Sequence, residues 1–434
     1  MTIEIELKFI TTADAAVKLA SHLTAWPCEY TAGQKLSNIY FETTNGQLRS
    51  WDMGLRIRGF GDSYEMTLKT AGQTIGGLHQ RPEYNVAIAE PVLDLHRLPA
   101  EVWPEGTDLD ALQQQLHPLF STDFVREKWL VTYQNSEIEV ALDQGEVKAG
   151  ELSEPLREVE LELKSGQRDD LLAFAAELAK HDGLRLGSLS KAARGYALAQ
   201  GNPPRALRPM PLLSVPPKAT VEQGMQGAFQ LALSQWQYHE ELWLRGNLAA
   251  LEEVREALAT LRQAFSLFGA LVPRKASSQL RQQLSELEEK LAAENVSAEA
   301  TCFSTLWLET QLALTIWIVT NGWRAFVDSK TEAKLHGSFK RFSDIMLGRI
   351  SADLKETFAQ VKQANEYQDK LIRLHHQLLA VRLLAGCYAE DAVNTWLELW
   401  QQVEQGIVEK QDVWLDGYCR QASKQPVFWK NSHA

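Results

Sequence analysis

Glu4, Glu6 and Lys8 alternate with Ile3, Ile5, Leu7 and Phe9 at the start of the chain. Period-two alternation predicts a strand, so the three charged side chains share one face at steps of about 7 Å. The pattern recurs with basic counterparts. Arg56 and Arg58 share a face in Gly-Leu-Arg-Ile-Arg-Gly-Phe, Lys69 ends Met-Thr-Leu-Lys, and Arg81 is spaced with Glu83. Arg126 and Lys128, then Glu139 and Asp143, then Glu158, Glu160 and Glu162 repeat the spacing, and Lys191 and Arg194 open a helix. Guanidinium and ammonium groups suit phosphate oxygens. Paired carboxylates on neighbouring strands suit Mg²⁺ or Mn²⁺, hard cations that prefer oxygen. Charges taken out of water are costly unless paired or metal-bound. Acids and bases gathered around one interior therefore imply a highly charged guest that brings its own cations.

The elements that must position these groups are short alternating runs. Strands are predicted at Ile3–Ile10, Leu36–Glu42, Gly54–Phe60, Tyr64–Thr70, Arg81–Ile88, Phe124–Tyr133, Glu137–Asp143, Glu146–Gly150 and Arg157–Lys164. Helices are predicted near Ala13–Thr24, Leu109–His117, Asp169–Lys180 and Ser190–Ala199. Apolar positions such as Leu7, Leu55, Leu68, Val159 and Leu161 fall on the opposite face, to be covered by the helices. Trp51 and Trp129 read as aromatics of the same shell. An antiparallel barrel or deeply curled sheet with peripheral helices fits this half.

Prolines 203, 204, 209, 211, 216 and 217 mark a semi-rigid joint over 201–217. Beyond it the apolar period becomes 3.6, with stripes Leu280, Leu284, Leu287, Leu291 and Leu371, Leu374, Leu378, Val381. The expected organisation is a catalytic domain over 1–200, a linker over 201–217 and an all-helical bundle over 218–434. The class is α+β for the whole chain.

Of 434 residues, 44 are Lys or Arg and 56 are Asp or Glu. The first 200 hold 19 of the former and 30 of the latter. No global basic field exists to attract nucleic acid, so a polyanion must be met by local convergence. The longest apolar run is too short for a bilayer. Glu4 and Glu6 stand where a signal peptide would be apolar, and the four cysteines form no ligand spacing or disulfide framework. A cytoplasmic protein is expected.

Glu4-x-Glu6-x-Lys8 at the N-terminus resembles the signature of the CYTH superfamily, the triphosphate tunnel metalloenzymes. The later order of Arg56-x-Arg58, Lys69, Glu83, Arg126-x-Lys128, Asp143, Glu158-x-Glu160 and Lys191 resembles it strand by strand. The resemblance implies an eight-stranded antiparallel barrel whose tunnel binds triphosphate with Mg²⁺ or Mn²⁺. It further implies that Lys8, Arg56, Arg58, Lys69, Arg81, Arg126, Lys128 and Lys191 hold phosphate, and that Glu4, Glu6, Glu158 and Glu160 hold metal. Glu83 and Asp143 are candidates for positioning the attacking water, with Lys8 beside them. Residues 218–434 resemble a CHAD domain thinned of basic residues. Glu252 stands at an expected His, Ala259-Thr260 at expected basic positions, and Lys370–His376 is similarly sparse. Any polyphosphate binding there is expected to be weak. The order of the two parts looks most like that of bacterial inorganic triphosphatases, which cleave tripolyphosphate to pyrophosphate and phosphate. The same tunnel supports thiamine or nucleoside triphosphate hydrolysis and adenylate cyclisation. A non-catalytic polyphosphate receptor is the alternative from another class.

Overall fold

In the computed structural model, which describes residues 2–361 and 363–430, sustained alternation becomes strand. The ten strands are β1 (Thr2–Thr11), β2 (Cys28–Glu42), β3 (Gly54–Phe60), β4 (Ser63–Lys69), β5 (Gln73–Ile75), β6 (Leu78–Ile88), β7 (His117–Tyr133), β8 (Ser136–Ala149), β9 (Leu152–Ser165) and β10 (Leu184–Leu186). The helices among them are α1 (Ala13–Leu23), α2 (Gln47–Ser50), α3 (Leu109–Gln115), α4 (Arg168–Leu178) and α5 (Lys191–Ala199). Neighbours run β1-β9-β8-β7-β2-β3-β4-β6, and β6 pairs back onto β1. Eight strands therefore close an antiparallel barrel, with β10 added beside β1 and β5 beside β6.

The expected strands Glu137–Asp143 and Glu146–Gly150 are corrected: they form one continuous β8. Gly145, midway along it, makes this possible. A Cβ there would lie 2.0 Å from the Asp123 carbonyl oxygen and 2.5 Å from Phe124 Cα of β7. Only glycine allows the two backbones to pass so closely.

Directly opposed residues share a face of the sheet. Lys8 faces Glu160, Glu6 faces Glu162, Glu4 faces Arg81, Lys69 faces Glu83 and Arg126 faces Asp143. The charged face lines the interior. On the other face Leu7, Leu55, Ile57, Leu68, Val159 and Leu161 are buried, and α4 packs Leu171, Phe174 and Leu178 over β7, β8 and β9. Coverage is incomplete, since Ile3 and Val125 are exposed. Trp129 is buried against Tyr30, and Trp51 packs on the Leu48–Leu55 cluster, so both belong to the shell.

The chain divides into two compact units, Met1–Ala206 with Ser297–Ile316, and Leu207–Val296 with Trp317–Ala434. The excursion Ser297–Ile316 contains α9 (Ala298–Cys302) and most of α10 (Thr305–Val319). Within the first unit its Phe303 carbonyl accepts from the Gly183 N–H at 3.1 Å, and the Thr315 hydroxyl donates to the Gly76 carbonyl at 2.8 Å.

The second unit is helical: α6 (Val221–Leu244), α7 (Ala250–Leu267), α8 (Ser278–Leu291), α11 (Ser329–Leu335), α12 (Phe339–Ala359), α13 (Leu371–Leu384), α14 (Glu390–Val408) and α15 (Asp412–Lys424). The stripe Leu280, Leu284, Leu287, Leu291 is buried along α8. On α13, Leu374, Leu378 and Val381 are buried, while Leu371 is half-buried. Residues 202–216 form neither helix nor strand, yet Met210 and Leu213 are buried. The Leu213 N–H donates to the Arg382 carbonyl and the Arg382 guanidinium to the Met210 carbonyl, which fastens this stretch to α13.

Some basic side chains of this unit are paired with carboxylates. Arg255 pairs with Glu252, Arg262 with Glu288, and Arg373 with Asp353. On α13, His375 bridges Glu256 of α7 at 3.0 Å and Glu404 of α14 at 2.6 Å. Those two hydrogen bonds push the imidazolium up to about 10. An unfolded histidine titrates near 6.5. The bridge's stabilisation is therefore complete below that value and lost as pH rises through about 10. Between these limits the folded state binds the extra proton, so stability falls with pH. His375→Gln should flatten this slope in urea titrations at pH 6, 8 and 10, and an unchanged slope would mean the bridge carries no charge.

Candidate active site

The barrel interior gathers its charges into two groups. In the first, Lys69 Nζ lies 2.6 Å from Glu4 and 4.0 Å from Glu83, and Arg56 Nη2 lies 3.9 Å from Glu83. Burial works against the charge of Glu83, but Lys69 and Arg56 outweigh it and hold the carboxyl below its ordinary range. In the second, Arg126 grips Asp143 with two hydrogen bonds of 2.7 and 2.6 Å and reaches Glu160 at 2.7 Å. Lys191 bonds Glu158 and lies 2.6 Å from Glu160 and 2.8 Å from Asp143. Lys8 is buried 3.3 Å from Glu158 and 3.8 Å from Glu160. Burial would raise the Glu160 carboxyl, yet Lys191, Arg126 and Lys8 keep it well below the carboxylate range.

Lys191 reaches this place because of how α5 is seated. Ser190 caps the helix by accepting the Ala193 N–H at 3.0 Å. Arg194 bonds Glu154 and the Pro155 carbonyl, and the Tyr196 hydroxyl donates to Glu42 at 3.1 Å. Glu42 also accepts backbone N–H groups of Thr43, Leu48 and Arg49, so one buried carboxylate ties α5 to the loop carrying α2. Gly195 meets the ring of Phe120 too closely for any side chain.

Asp143, Glu158 and Glu160 each offer an oxygen within 4.8 Å of the others. Glu158 Oε2 is buried and accepts no hydrogen bond. Three convergent carboxylates with a spare buried oxygen fit a hard divalent cation. Glu4 and Glu6 stand elsewhere along β1. The register sets Glu6 beside Glu162, which in turn faces Glu139. Burial, with Glu4 and Glu139 nearby, pushes the Glu162 carboxyl up.

Arg56, Arg58 and Arg126 form the complementary feature. Arg58 donates to Asn38 at 2.8 Å and makes no ion pair among the described residues. Burial, then Arg56 and Arg126, depress its guanidinium to about 10. Arg56 Nε is buried with no hydrogen-bond acceptor. A guanidinium repelled by its neighbours, Arg58, beside one with an unused donor, Arg56, marks an anion site; Arg126 is already held by Asp143 and Glu160. Arg81 faces Glu4 across β1 and β6, while Lys128 lies toward the rim, 3.4 Å from Glu139 and partly exposed.

Other interior residues escaped sequence reasoning. Asn38 orients Arg58, and Tyr40 stacks on Phe120 beneath Arg56. His79, across from Glu6, is held neutral by burial, which outweighs Glu6 and lowers it to about 4. Asn38 and Tyr40 already lie within the expected strand Leu36–Glu42 but carry no charge to single them out, whereas His79 falls before the expected start at Arg81 and inside the observed β6.

Residues 2–196 match the CYTH domain model, and residues 227–421 match the CHAD domain model. The chain joins a CYTH domain to a CHAD domain. Over 200 residues it is 39% identical to the inorganic triphosphatase of Haemophilus influenzae, a match covering 45% of this chain and 54% of that protein. The chain thus spans about half the length of that curated relative. Among solved structures, a Hippeastrum adenylyl cyclase described as having dominant triphosphatase activity is 19% identical, with a TM-score of 0.33 over 45% of this chain and 95% of that one. The CHAD domain of Ricinus communis is 16% identical, with a TM-score of 0.36 over 52% of this chain and 94% of that one. Among the described residues no helix is long and apolar enough to cross a membrane.

Proposed function

We propose that the CYTH unit is a metal-dependent triphosphatase that hydrolyses inorganic triphosphate to pyrophosphate and phosphate by direct attack of water. The observation that carries this is the meeting, inside one barrel, of the Arg58 guanidinium, repelled by Arg56 and Arg126, with three convergent carboxylates. The resemblance to an inorganic triphosphatase over the same residues supports the choice of substrate. Asp143, Glu158 and Glu160 would hold a divalent cation, Mg²⁺ or Mn²⁺, with Glu4 and Glu6 the further carboxylates of β1. Such a cation supplies charge neutralisation at phosphate oxygens and acidifies bound water.

The remaining work falls to the chain's own side chains. Arg56 and Arg58 bind phosphate oxygens bidentately, and Lys69, Arg81, Arg126 and Lys128 extend the cationic wall. Lys8 and Lys191 reach the phosphates from the carboxylate side. Charge spreads over the transferred phosphoryl oxygens in the transition state, and these fixed cations stabilise it without reorganising. Glu83, held ionised by Lys69 and Arg56, orients the attacking water. Asp143, fixed by Arg126, keeps the carboxylate cluster in place. No serine, cysteine or histidine is placed as a nucleophile, so no covalent intermediate is invoked.

Phosphate release from inorganic triphosphate, ATP and thiamine triphosphate, each with Mg²⁺, Mn²⁺ or excess chelator, tests this directly. Bare triphosphate with metal should be turned over fastest. A preference for ATP or thiamine triphosphate would overturn the substrate, and full activity in chelator would overturn the metal. The CHAD unit, with Arg255, Arg262 and Arg373 engaged by carboxylates, is expected to bind long polyphosphate weakly and with strong salt dependence. The protein is expected to act in the cytoplasm.

A further inference from the structure

Lys191 is the first residue of α5, at the positive end of the helix dipole, where a cation is disfavoured. It is nonetheless buried, because its ammonium sits among the oxygens of Asp143, Glu158 and Glu160. An ammonium is a compact charge with three donors; this one donates to Glu158 and Glu160 and lies 2.8 Å from Asp143. One oxygen of each of these carboxylates lies within 4.8 Å of the others, and the three residues form the set assigned to the cation. Two cations cannot share that centre.

We propose that Lys191 is a resident counter-ion of the empty tunnel, holding the carboxylates together until metal and triphosphate arrive together and displace it onto the phosphates. The proposal rests on the triphosphatase reading above. The four-carbon stem lets the ammonium relocate, while Arg194, Gly195 and Tyr196 keep α5 seated. Metal alone must push the ammonium toward Arg56, Arg58 and Arg126, where nothing welcomes it. With triphosphate present the displaced ammonium gains an anionic partner. Metal and triphosphate therefore bind cooperatively, each raising the other's affinity by the same factor.

The test is calorimetric titration of the full chain with Mn²⁺, alone and in the presence of non-hydrolysable imidotriphosphate. Lys191→Met removes the competitor and should bind Mn²⁺ alone about 10-fold more tightly than the parent, with the coupling to imidotriphosphate reduced by a similar factor. Lys191→Arg, which keeps the charge, should retain the weak binding of metal alone. Removing the ammonium also takes one cation from the three carboxylates and leaves them to Arg126 and Lys8, so Mn²⁺ should raise the Tm of Lys191→Met more than that of the parent. A variant that folds only with Mn²⁺ would support the proposal, and one that fails to fold in both conditions would overturn it. Folded Lys191→Met with unchanged or weaker Mn²⁺ affinity would likewise overturn it. If the parent binds no Mn²⁺ even with imidotriphosphate, the triphosphatase reading itself falls.

Discussion

Glu160→Gln should lower triphosphate hydrolysis by about 10³-fold while the barrel stays folded. Glu160 touches Arg126 at 2.7 Å, Lys191 at 2.6 Å and Lys8 at 3.8 Å, so it is the carboxylate on which the second charge group converges. The amide is nearly isosteric and preserves packing. It removes one negative charge from the oxygen set that fits a cation, and it turns an acceptor toward the ammonium into a competing donor. Breaking one arm of a buried ion-pair network typically costs about 3 kcal/mol. Asp143 and Glu158 still pair Lys191, so the fold should survive that loss. Phosphate release with Mg²⁺, read beside circular dichroism and Tm, checks both halves of the expectation. Turnover within tenfold of the parent would show that the cluster is structural. Glu4→Gln gives the contrast, because Glu4 belongs to the other group, on Lys69. A comparable loss there would show that the β1 carboxylates complete the metal site from a distance.

How far this site could be read from the sequence depends on register. Alternation alone located β1, β3 and β4 almost to the residue, because period two survives wherever one face is apolar. It also named nearly every charged side chain that lines the interior. What alternation does not contain is which strands lie opposite and by how much they are staggered. Glu4, Glu6, Glu158 and Glu160 look equivalent in the sequence. Only the pairings show that Asp143 joins Glu158 and Glu160: β8–β9 sets Asp143 against Glu158, while β1–β9 sets Glu6 against Glu162 and Lys8 against Glu160. The first half of β2 carries Cys28, Gly33 and Gln34 on a largely exposed ribbon and gives no clean period. β10 is three residues long, too short to register as a pattern. The excursion Ser297–Ile316 was illegible for another reason. Its buried Trp307, Leu308 and Leu312 read as ordinary helix core, and nothing in such a stripe says which core it enters.

Arg58→Met should weaken triphosphate binding and stabilise the empty protein at once. Burial and the neighbouring Arg56 and Arg126 depress the Arg58 guanidinium from its ordinary value to about 10. A base with a lowered folded-state value is one whose charge the folded state resists, and at pH 7 that resistance is present in full. Methionine keeps an unbranched stem in the same space and removes the repelling charge. The Tm in chelator should therefore rise by roughly 2–4 °C, as about 1 kcal/mol would produce in a unit of this size. Function moves the other way. A hydrogen bond to a charged group contributes about 1.5–3 kcal/mol, so KM for triphosphate should rise at least about 10-fold. If phosphates bind Arg58 in the transition state no more strongly than in the ground state, kcat is unchanged. On the triphosphatase reading, a charge that costs stability without ligand persists because the phosphates relieve it. Arg56→Met is the control, since Arg56 also neighbours Glu83 and should gain less stability for a similar loss of binding. A lower Tm for Arg58→Met would mean that its contact with Asn38 outweighs the repulsion, and that this guanidinium is held for the fold rather than for an anion.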